Sequence, residues 1–408
     1  MNKNVVVIGG GAAGMMAAYQ AAKNSNNVTL VEKNQKVGRK IMITGKGRCN
    51  VTNNCDSNVF IKNVAVNGRF LYSAISNFTT ADTMDFFESL GVQLKTERGN
   101  RVFPQSDKAS DIVDALFSAL KKSGVKIVFS AVKNVYKQNE QFTTQLENGD
   151  ALISDNVIIA TGGVSYPLTG STGDGYKFAK QFGHTLIPLK PSLVPLTVHE
   201  GFCTKLSGLT LKNVTLKVFE SGRDKPVFSD LGEMLFTHFG ISGPLVLSAS
   251  SLMREIDEKK YFAVIDLKPA LDVQTLDKRL QRDLGENTNK DIVNSLDKLL
   301  PKSLIPVVLR LSEIDERIKS NQITKQQRLA LCNVIKGLKL TVTGFRPIDE
   351  AIITSGGVSV REIDPKTMQS KLVEGLYFAG EIIDVDAYTG GFNLQIAFST
   401  GALAGANI

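Results

Sequence analysis

The chain has 408 residues, of which 42% are hydrophobic and 22% charged, and its formal net charge is +8. This composition excludes a disordered or collagen-like chain and is typical of a globular protein. Four scattered cysteines are too few for a disulfide framework, and no run of about 18 apolar residues predicts a membrane helix, so we expect a cytoplasmic protein without a membrane partner. The positive charge would suit nucleic acid, but the sequence contains no basic helix and no alternation of aromatic and basic residues. A small-molecule substrate is therefore favoured over nucleic acid. No motif predicts an oligomeric state.

The N-terminal segment follows the order of the dinucleotide-binding fingerprint: strand, glycine turn, helix. Val5–Ile8 is a β-branched apolar run, typical of a buried parallel strand, and it leads directly into GGGAAG. Gly9 permits the tight turn, Gly11 lets a pyrophosphate approach the backbone, and Gly14 allows close packing of helix and strand. The predicted helix, Met15–Lys23, directs free N–H groups towards the phosphates.

A second strand, Val28–Val31, ends at Glu32 and completes the fingerprint. A carboxylate at this point can accept hydrogen bonds from both hydroxyls of an adenosine ribose. It also disfavours a ribose 2′-phosphate, because two anions would repel each other. The sequence therefore predicts a site for an ADP-containing dinucleotide.

The segment after Glu32 favours FAD over NAD. Gly38-Arg39-Lys40 is followed by TGKGRCNVTNN, a cationic and glycine-rich stretch from Thr44 to Asn54 whose spacing does not match a P-loop. Glycine beside fixed positive charge is typical of backbone that approaches an anion. We expect this stretch to line the pyrophosphate and flavin of the longer cofactor.

Two further strand ends carry similar signals. Val157–Ala160 runs into a Thr-Gly-Gly turn, and Gly375–Ala379 runs into Gly380-Glu381, followed by a glycine pair that opens a helix at Phe392. Carboxylates there can hold ribityl hydroxyls, and the helix N-terminus can direct N–H groups at the flavin edge that gains negative charge on reduction. Three such ends predict one extended ligand along the carboxyl edge of a parallel sheet.

Other candidate residues are interpreted as structural or cofactor-binding. Cys49 and Cys55 are separated by five residues rather than the four of disulfide reductases, so a redox-active pair is disfavoured. The histidines are too dispersed for a metal site, and His238 is favoured as structural. Glu381 and Tyr388 could donate protons, but cofactor binding is favoured, and no catalytic residue is assigned. No second GxGxxG follows a mid-chain strand, so NAD(P)H would bind transiently over the flavin.

Four stretches together resemble the bacterial BaiN-like flavoproteins: GRKIMITGKGRCNVTNN, IIATGGVSYPLTGSTGDGYKFA, LFTHFGISGP and the long block from TSGGVSVREID to FSTGALAG. The resemblance covers nearly the whole chain and implies an FAD-dependent oxidoreductase with the fold of the glutathione-reductase class. Activities within the family include reduction of dehydro bile acids and oxidation of aminoacetone. It implies FAD contacts at Gly9, Gly10, Gly11, Ala12, Ala13, Gly14, Glu32, Lys33, Arg39, Lys40, Gly47, Arg48, Cys49, Thr161, Gly162, Gly380, Glu381, Asn393 and Leu394. Val132, just after a strand, is added as a contact to adenine.

The predicted fold class is α/β, with a Rossmann-like FAD-binding domain at 1–188 and 345–408 interrupted by an insertion at 189–344. Short strands followed by helical periodicity predict that the insertion is β-barrel-like, with a helical subdomain at about 272–338, placed on the substrate side. The predicted function is hydride transfer between a small organic substrate and FAD, with NAD(P)H as electron donor. An amine oxidase that uses O₂ and an FAD protein that binds or modifies RNA remain as alternatives.

Overall fold

The computed structural model describes residues 2–253, 256 and 258–408. Its strands, in chain order, are β1 (Asn4–Ile8), β2 (Asn27–Glu32), β3 (Thr52–Asn53), β4 (Val64–Val66), β5 (Leu94–Glu97), β6 (Arg101–Pro104), β7 (Lys126–Phe129), β8 (Val132–Gln138), β9 (Gln141–Leu146), β10 (Ala151–Ser154), β11 (Asn156–Ile159), β12 (Leu186–Ser192), β13 (Leu196–Val198), β14 (Thr210–Glu220), β15 (Phe228–Thr237), β16 (Gly240–Ser242), β17 (Tyr261–Asp266), β18 (Leu338–Phe345), β19 (Ile353–Val358), β20 (Leu376–Phe378) and β21 (Asp386–Ala387).

The helices are α1 (Ala12–Lys23), α2 (Arg39–Ile43), α3 (Ser57–Lys62), α4 (Tyr72–Asn77), α5 (Thr80–Ser89), α6 (Ala109–Lys122), α7 (Asp174–Gln181), α8 (Phe202–Lys205), α9 (Pro244–Ser250), α10 (Val273–Gly285), α11 (Ile305–Leu311), α12 (Lys325–Lys336) and α13 (Phe392–Ala406). The chain divides into two compact units, Met1–Ser192 with Pro347–Ile408, and Leu193–Arg346. The sequence had placed these boundaries at 188/189 and 344/345.

A five-stranded parallel sheet in the order β20-β11-β1-β2-β7 forms the centre of the first unit. Its register pairs Ile8 with Ile159, and Ile159 with Phe378, so three strands end side by side. Valine and isoleucine dominate the central strands β1 and β11, which are covered on both faces, as is usual for a parallel sheet. The prediction that the three glycine-rich strand ends meet at one edge is confirmed.

Helices α1 and α13 pack so closely that only glycine fits along their contact. A Cβ on Gly401 would lie 2.3 Å from the carbonyl oxygen of Ala13, and one on Gly405 would lie 2.2 Å from that of Ala17. Almost every residue of α13 from Gln395 to Gly405 is buried, so this helix lies in the core of the unit. This packing fixes the N-terminus of α13 relative to the glycine turn before α1.

The second unit contains a closed six-stranded barrel in the order β13-β16-β15-β14-β17-β18. Alternate residues of β14 and β18 are buried in its core, the period of two that a half-buried strand requires. Helix α10 buries Leu276, Leu280 and Leu284, the predicted helical period, and α12 begins with a capping box at Thr324. The predicted barrel-like insertion is confirmed, and helices α10 to α12 occupy the predicted helical region.

Candidate cofactor site

A long cavity in the first unit follows the carboxyl ends of the parallel strands from β2 to β20. It is lined by backbone of the glycine turn before α1, by the segment after β2, by the turn after β11 and by the start of α13. The chemical character changes along its length, from the carboxylate of Glu32 near one end to the mainly apolar start of α13 at the other. The cavity therefore has the extended shape and mixed chemistry predicted for a dinucleotide site.

Glycine is required at the three fingerprint positions for different structural reasons. Gly9 adopts a φ of +108°, and a Cβ there would lie 2.5 Å from the carbonyl oxygen of Ala160. A Cβ on Gly14 would lie 1.8 Å from the carbonyl oxygen of Gly9, so Gly14 allows the helix to pack against the turn. At Gly11, by contrast, a Cβ would meet no described atom within 4 Å. Gly11 thus faces open cavity, where glycine lets a ligand approach the backbone.

Glu32 is buried at the end of β2, and its carboxylate organises one end of the cavity. The Gly10 N–H donates to Oε2 at 2.7 Å, and the backbone and side-chain N–H groups of Asn34 donate to Oε1 at 2.8 and 2.6 Å. A buried carboxylate needs such donors to offset its lost hydration. The donors hold it at the cavity wall, where its remaining acceptor positions suit ribose hydroxyls.

Basic side chains after β2 connect this end to the turn before α7. Lys33 forms an ion pair with Asp174 at 2.7 Å and also contacts Thr172, while Arg39 donates to the Asn34 side chain at 2.7 Å. Partial burial raises the pKa of Asp174, but the hydrogen bonds from Lys33 and Thr172 outweigh this and hold it below its ordinary value. The Asp174 carboxylate therefore stays ionised and keeps Lys33 beside the cavity.

A second network lies at the β20 end of the cavity, away from Glu32. Lys40 Nζ is 2.6 Å from Glu381 Oε2 and 2.7 Å from the Ser165 hydroxyl, which in turn donates to Glu381 Oε1 at 2.9 Å. The Thr354 N–H also donates to Oε1, at 2.8 Å. Gly163 makes room for this arrangement, since a Cβ there would lie 2.3 Å from the Thr354 hydroxyl oxygen. Glu381 thus acts as an acceptor that joins three chain segments, which favours a positioning role over proton donation.

The start of α13 is fixed by several backbone contacts. A Cβ on Gly391 would lie 2.3 Å from the carbonyl oxygen of Thr52, and the Asn393 side chain pairs with the backbone of Ala387 at 2.8 and 3.0 Å. These contacts hold Asn393 and Leu394 at the cavity wall. The first-turn N–H groups of α13 are therefore directed to one place, as an electron-accepting ring requires.

Thr44 of the TGKGRC stretch lies at the cavity, and the residues after it make local contacts. Thr44 lines the cavity, but Thr44–Gly47 then forms a turn, and Arg48 pairs with Glu97 and with Asp107 at 2.7 Å. Cys49 is fully buried, and burial raises the pKa of its thiol to about 12, with a smaller opposing effect from the Thr44 hydrogen bond. Gly47, Arg48 and Cys49 lie outside the cavity lining because local ion pairing and packing engage this turn.

Most of the predicted contact residues do line the cavity. They are Gly9, Gly10, Gly11, Ala12, Ala13, Glu32, Lys33, Arg39, Lys40, Val132, Thr161, Gly162, Glu381, Asn393 and Leu394. Besides the three residues of the turn, Gly14 and Gly380 are absent from the described lining, and both pack against neighbouring backbone or Ala13. Residues that the sequence analysis missed include Asn34, Ser171 and Asp174 in the lining and Ser165 and Thr354 in the Glu381 network.

The other candidates for chemistry lie elsewhere. All four cysteines are free, and no group of three or more potential metal ligands occurs among the described residues. His184 is buried against Phe378 and Ser370, and burial lowers its pKa despite the nearby Glu362. Within the described residues, no helix is both long enough and apolar enough to cross a bilayer.

The cavity residues fit an FAD molecule. The Glu32 carboxylate lies at the wall with donors already on both oxygens, and Gly11 leaves space beside its backbone that a pyrophosphate could occupy. Glu32 would hold the adenosine ribose, the glycine turn the pyrophosphate, and the α13 start the flavin.

This fold and site define a Rossmann-type FAD-binding oxidoreductase. The chain belongs to the family described as HI0933-like protein Rossmann domain, whose model matches residues 3–407. It is 32% identical over 410 residues to a 3-dehydro-bile acid delta(4,6)-reductase of Clostridium scindens, covering 99% of this chain and 98% of the relative. It is 33% identical over 401 residues to a ribosomal RNA dihydrouridine synthase of Escherichia coli, covering 97% and 96%.

Comparison with solved structures supports the fold. A 3-ketosteroid delta1-dehydrogenase from Sterolibacterium denitrificans matches with a TM-score of 0.52 at 13% identity, covering 99% of this chain and 98% of that one. At this identity the likeness concerns the fold alone. The predicted family and fold class are confirmed, as is the coarser prediction of an FAD-dependent oxidoreductase.

Proposed function

We propose that the protein is an FAD-dependent reductase that uses NAD(P)H to add hydrogen across a C=C bond conjugated with a carbonyl group. The observation that supports this proposal is the position of the first turn of α13, which is fixed by its contacts with Ala387. Its free N–H groups are directed to one end of the cavity, where FAD would bind. When bound, FAD supplies the redox chemistry by accepting a hydride and passing it on. The balance is one NAD(P)H and one proton consumed for each double bond reduced.

The names of the two relatives share this chemistry. A delta(4,6)-reductase of a 3-oxo steroid and a synthase that makes dihydrouridine both saturate a double bond conjugated with a carbonyl. Such a bond accepts hydride at its far carbon because the carbonyl oxygen takes up the resulting negative charge. We therefore place the activity of this chain in the same reaction type and do not favour amine oxidation.

Between the two substrate classes, the net charge of +8 favours RNA. A polyanion gains affinity from a positively charged protein, whereas a steroid acid with one carboxylate gains little. The proposed substrate is accordingly a uracil base in ribosomal RNA, and the C5=C6 bond is the one reduced. This revises our sequence-based preference for a small molecule.

Two measurements test the proposal. The purified protein is first titrated anaerobically with NADH and then NADPH; loss of the oxidised flavin absorbance is expected with one of them. The reduced protein is then mixed with ribosomal RNA from cells that lack the gene, and nucleosides are analysed by mass for the gain of two hydrogens. Reduction of the flavin by an amine but not by a nicotinamide, with recovery in air, would instead identify an oxidase.

A 4-en-3-one steroid serves as the competing substrate in the same assay. Turnover of the steroid without modification of RNA would retain the reaction type and reject the RNA substrate. Modification of RNA alone would support both parts of the proposal. A flavin that neither nicotinamide reduces would contradict the reductase itself.

A further inference from the structure

Three exposed basic residues lie on two loops beside the α13 end of the cavity. Lys46 is in the Thr44–Gly47 turn, and Arg98 and Arg101 flank the turn between β5 and β6. We call these three residues the cationic rim. Thr44 itself lines the cavity, so Lys46 lies two residues along the chain from its wall.

The second loop is tied to the same end of the cavity by one side chain. Asn53 Nδ2 donates to the carbonyl oxygens of both Gly99 and Gly390, each at 3.0 Å. Gly99 lies between the two arginines, and Gly390 lies three residues before Asn393 of the cavity wall. The arginine loop is therefore held beside the start of α13.

Phe103 links the two loops of the rim. A Cβ on Gly45 would lie 3.2 Å from its ring, and the Arg101 guanidinium lies 5.8 Å from the ring centroid. The Arg101 Nε also donates to the carbonyl oxygen of Arg98 at 3.0 Å. The cations are thus carried on anchored backbone, which reduces the entropy lost when they bind a ligand.

The rim residues differ in charge pairing from the basic residues next to them. Arg48 and Lys95 form ion pairs with Asp107 at 2.7 and 2.8 Å, so their charge is neutralised. Lys46, Arg98 and Arg101 form no close ion pair in the part of the chain that the structure describes; Arg101 lies cross-strand from Glu97, whose carboxylate is paired with Arg48. The positive charge on this side is therefore concentrated in the residues that face solvent.

We propose that the cationic rim binds phosphates of an RNA strand whose target base enters the cavity. This inference rests on the proposed function for the identity of the substrate. Three cations without a close ion pair, carried on two loops, suit successive phosphates of a polyanion, whereas a single carboxylate would need one cation. The rim would then position the strand, and the cavity would select the base.

Fluorescence anisotropy of the FAD-loaded full chain tests the rim. The probe is a labelled RNA hairpin with a uridine-rich loop, titrated at several KCl concentrations between about 50 and 200 mM. The rim variant K46Q/R98Q/R101Q is expected to raise the Kd at least about tenfold at the middle of this range. It should also lower the slope of log Kd against log salt by about two to three, because each phosphate contact contributes roughly one.

The matched control is K3Q/K122Q/K126Q, which removes the same charge from exposed positions on other parts of the first unit. We expect its Kd to change less than about twofold. An equal loss of RNA affinity in both variants would show that only net charge matters and would overturn the proposal. An unchanged Kd in the rim variant, or a wild type that does not bind the RNA, would overturn it as well. The flavin absorbance and thermal midpoint of each variant show that it is folded.

The test of the cationic rim can fail or succeed independently of the test of the proposed function. Reduction of the flavin by dithionite involves neither RNA nor a nicotinamide and should proceed at the wild-type rate in the rim variant. A rim variant that still reduces a steroid enone but loses RNA affinity supports the rim alone. A wild type that reduces conjugated bonds yet does not bind the hairpin overturns the rim and retains the reductase.

Discussion

The two ends of the cofactor cavity are built in different ways. At the Glu32 end, the carboxylate contacts Gly10 and Asn34, which lie in the same β1-α1-β2 unit or directly after it. At the Glu381 end, Lys40, Ser165 and Thr354 come from segments far apart in sequence. The first end needs only one supersecondary unit, whereas the second exists only when the whole unit has folded.

This difference has consequences for stability. A short-range site loses ligand affinity when one of its groups is removed, but the rest of the unit keeps its structure. A network of distant segments also contributes to holding those segments together, so that ligand binding and folding are coupled there. Substitutions at the two ends should therefore separate effects on FAD affinity from effects on unfolding.

The largest effect is expected within the fingerprint itself, at Gly14. Gly14→Ala places a Cβ 1.8 Å from the Gly9 carbonyl oxygen, a clash with backbone that cannot be relieved by rotating a side chain. We expect a loss of about 3 kcal/mol or more in the free energy of unfolding. Chemical denaturation of the apoprotein measures it.

Gly11→Ala is the matched control for Gly14→Ala. Its Cβ meets no described atom, so the apoprotein should lose no more than about 1 kcal/mol, while FAD affinity should fall at least tenfold. Titration of apoprotein with FAD, followed by flavin fluorescence, measures the affinity. Equal destabilisation of the two apoproteins would contradict the division into a folding glycine and a ligand glycine.

Glu32→Ala is expected to have the next largest effect. It leaves the Gly10 N–H without its acceptor and should cost the apoprotein about 1–3 kcal/mol, and it also removes the ribose acceptor. FAD affinity should fall by about two orders of magnitude, the effect of two lost hydrogen bonds to a charged group. Glu32→Gln keeps the shape and one acceptor oxygen for Asn34, but its NH2 group would face the Gly10 N–H, so it should also destabilise the apoprotein. If FAD affinity is unchanged in Glu32→Ala, the adenosine end has been assigned wrongly.

The same difference explains how much of the site could be predicted. The fingerprint glycines and Glu32 were found because their function depends on local spacing after a strand. Ser165 and Thr354 were missed because a serine or threonine in a loop has many local uses, and their role depends on packing between distant segments. The glycine pair Gly356-Gly357 was an available signal, since a Cβ on Gly357 would lie 2.4 Å from the carbonyl oxygen of Ile382. Such a pair inside a strand indicates close backbone approach.

The fold was predicted well where periodicity is strong. The parallel strands and the barrel strands alternate or cluster their apolar residues clearly, and the glycine-rich ends indicated which parallel strands end at one edge of the sheet. The TGKGRC turn depends on packing between distant segments. Arg48 forms ion pairs with Glu97 and Asp107, which lie far along the chain and carry no local sign of that pairing, and the contact of this turn with FAD stays a prediction.

A smaller effect is expected from the Lys40–Glu381 ion pair. The two side chains are 23% and 19% exposed, so each charge is partly desolvated. Removing either partner should therefore lower the free energy of unfolding. A double-mutant cycle of Lys40→Met and Glu381→Gln should give a coupling energy of about 1 kcal/mol in the unfolding of the apoprotein. Additive effects would show that the two side chains act independently and would remove the coupling of distant segments at this end.

The smallest effect concerns His184, which supports the strand that leads to Glu381. Its ring lies 4.8 Å from that of Phe378 in β20, and burial lowers its pKa below the ordinary 6.5. The folded protein therefore holds the neutral form, and stability is fully present above pH 6.5 and is lost as pH falls towards the lowered pKa. We expect the wild type to lose a few degrees of thermal midpoint between pH 7.5 and 5.5, and His184→Gln to lose less over that interval. Because the strand carries the Glu381 network, FAD affinity should weaken in parallel; parallel pH curves for wild type and variant would show that other groups cause the loss.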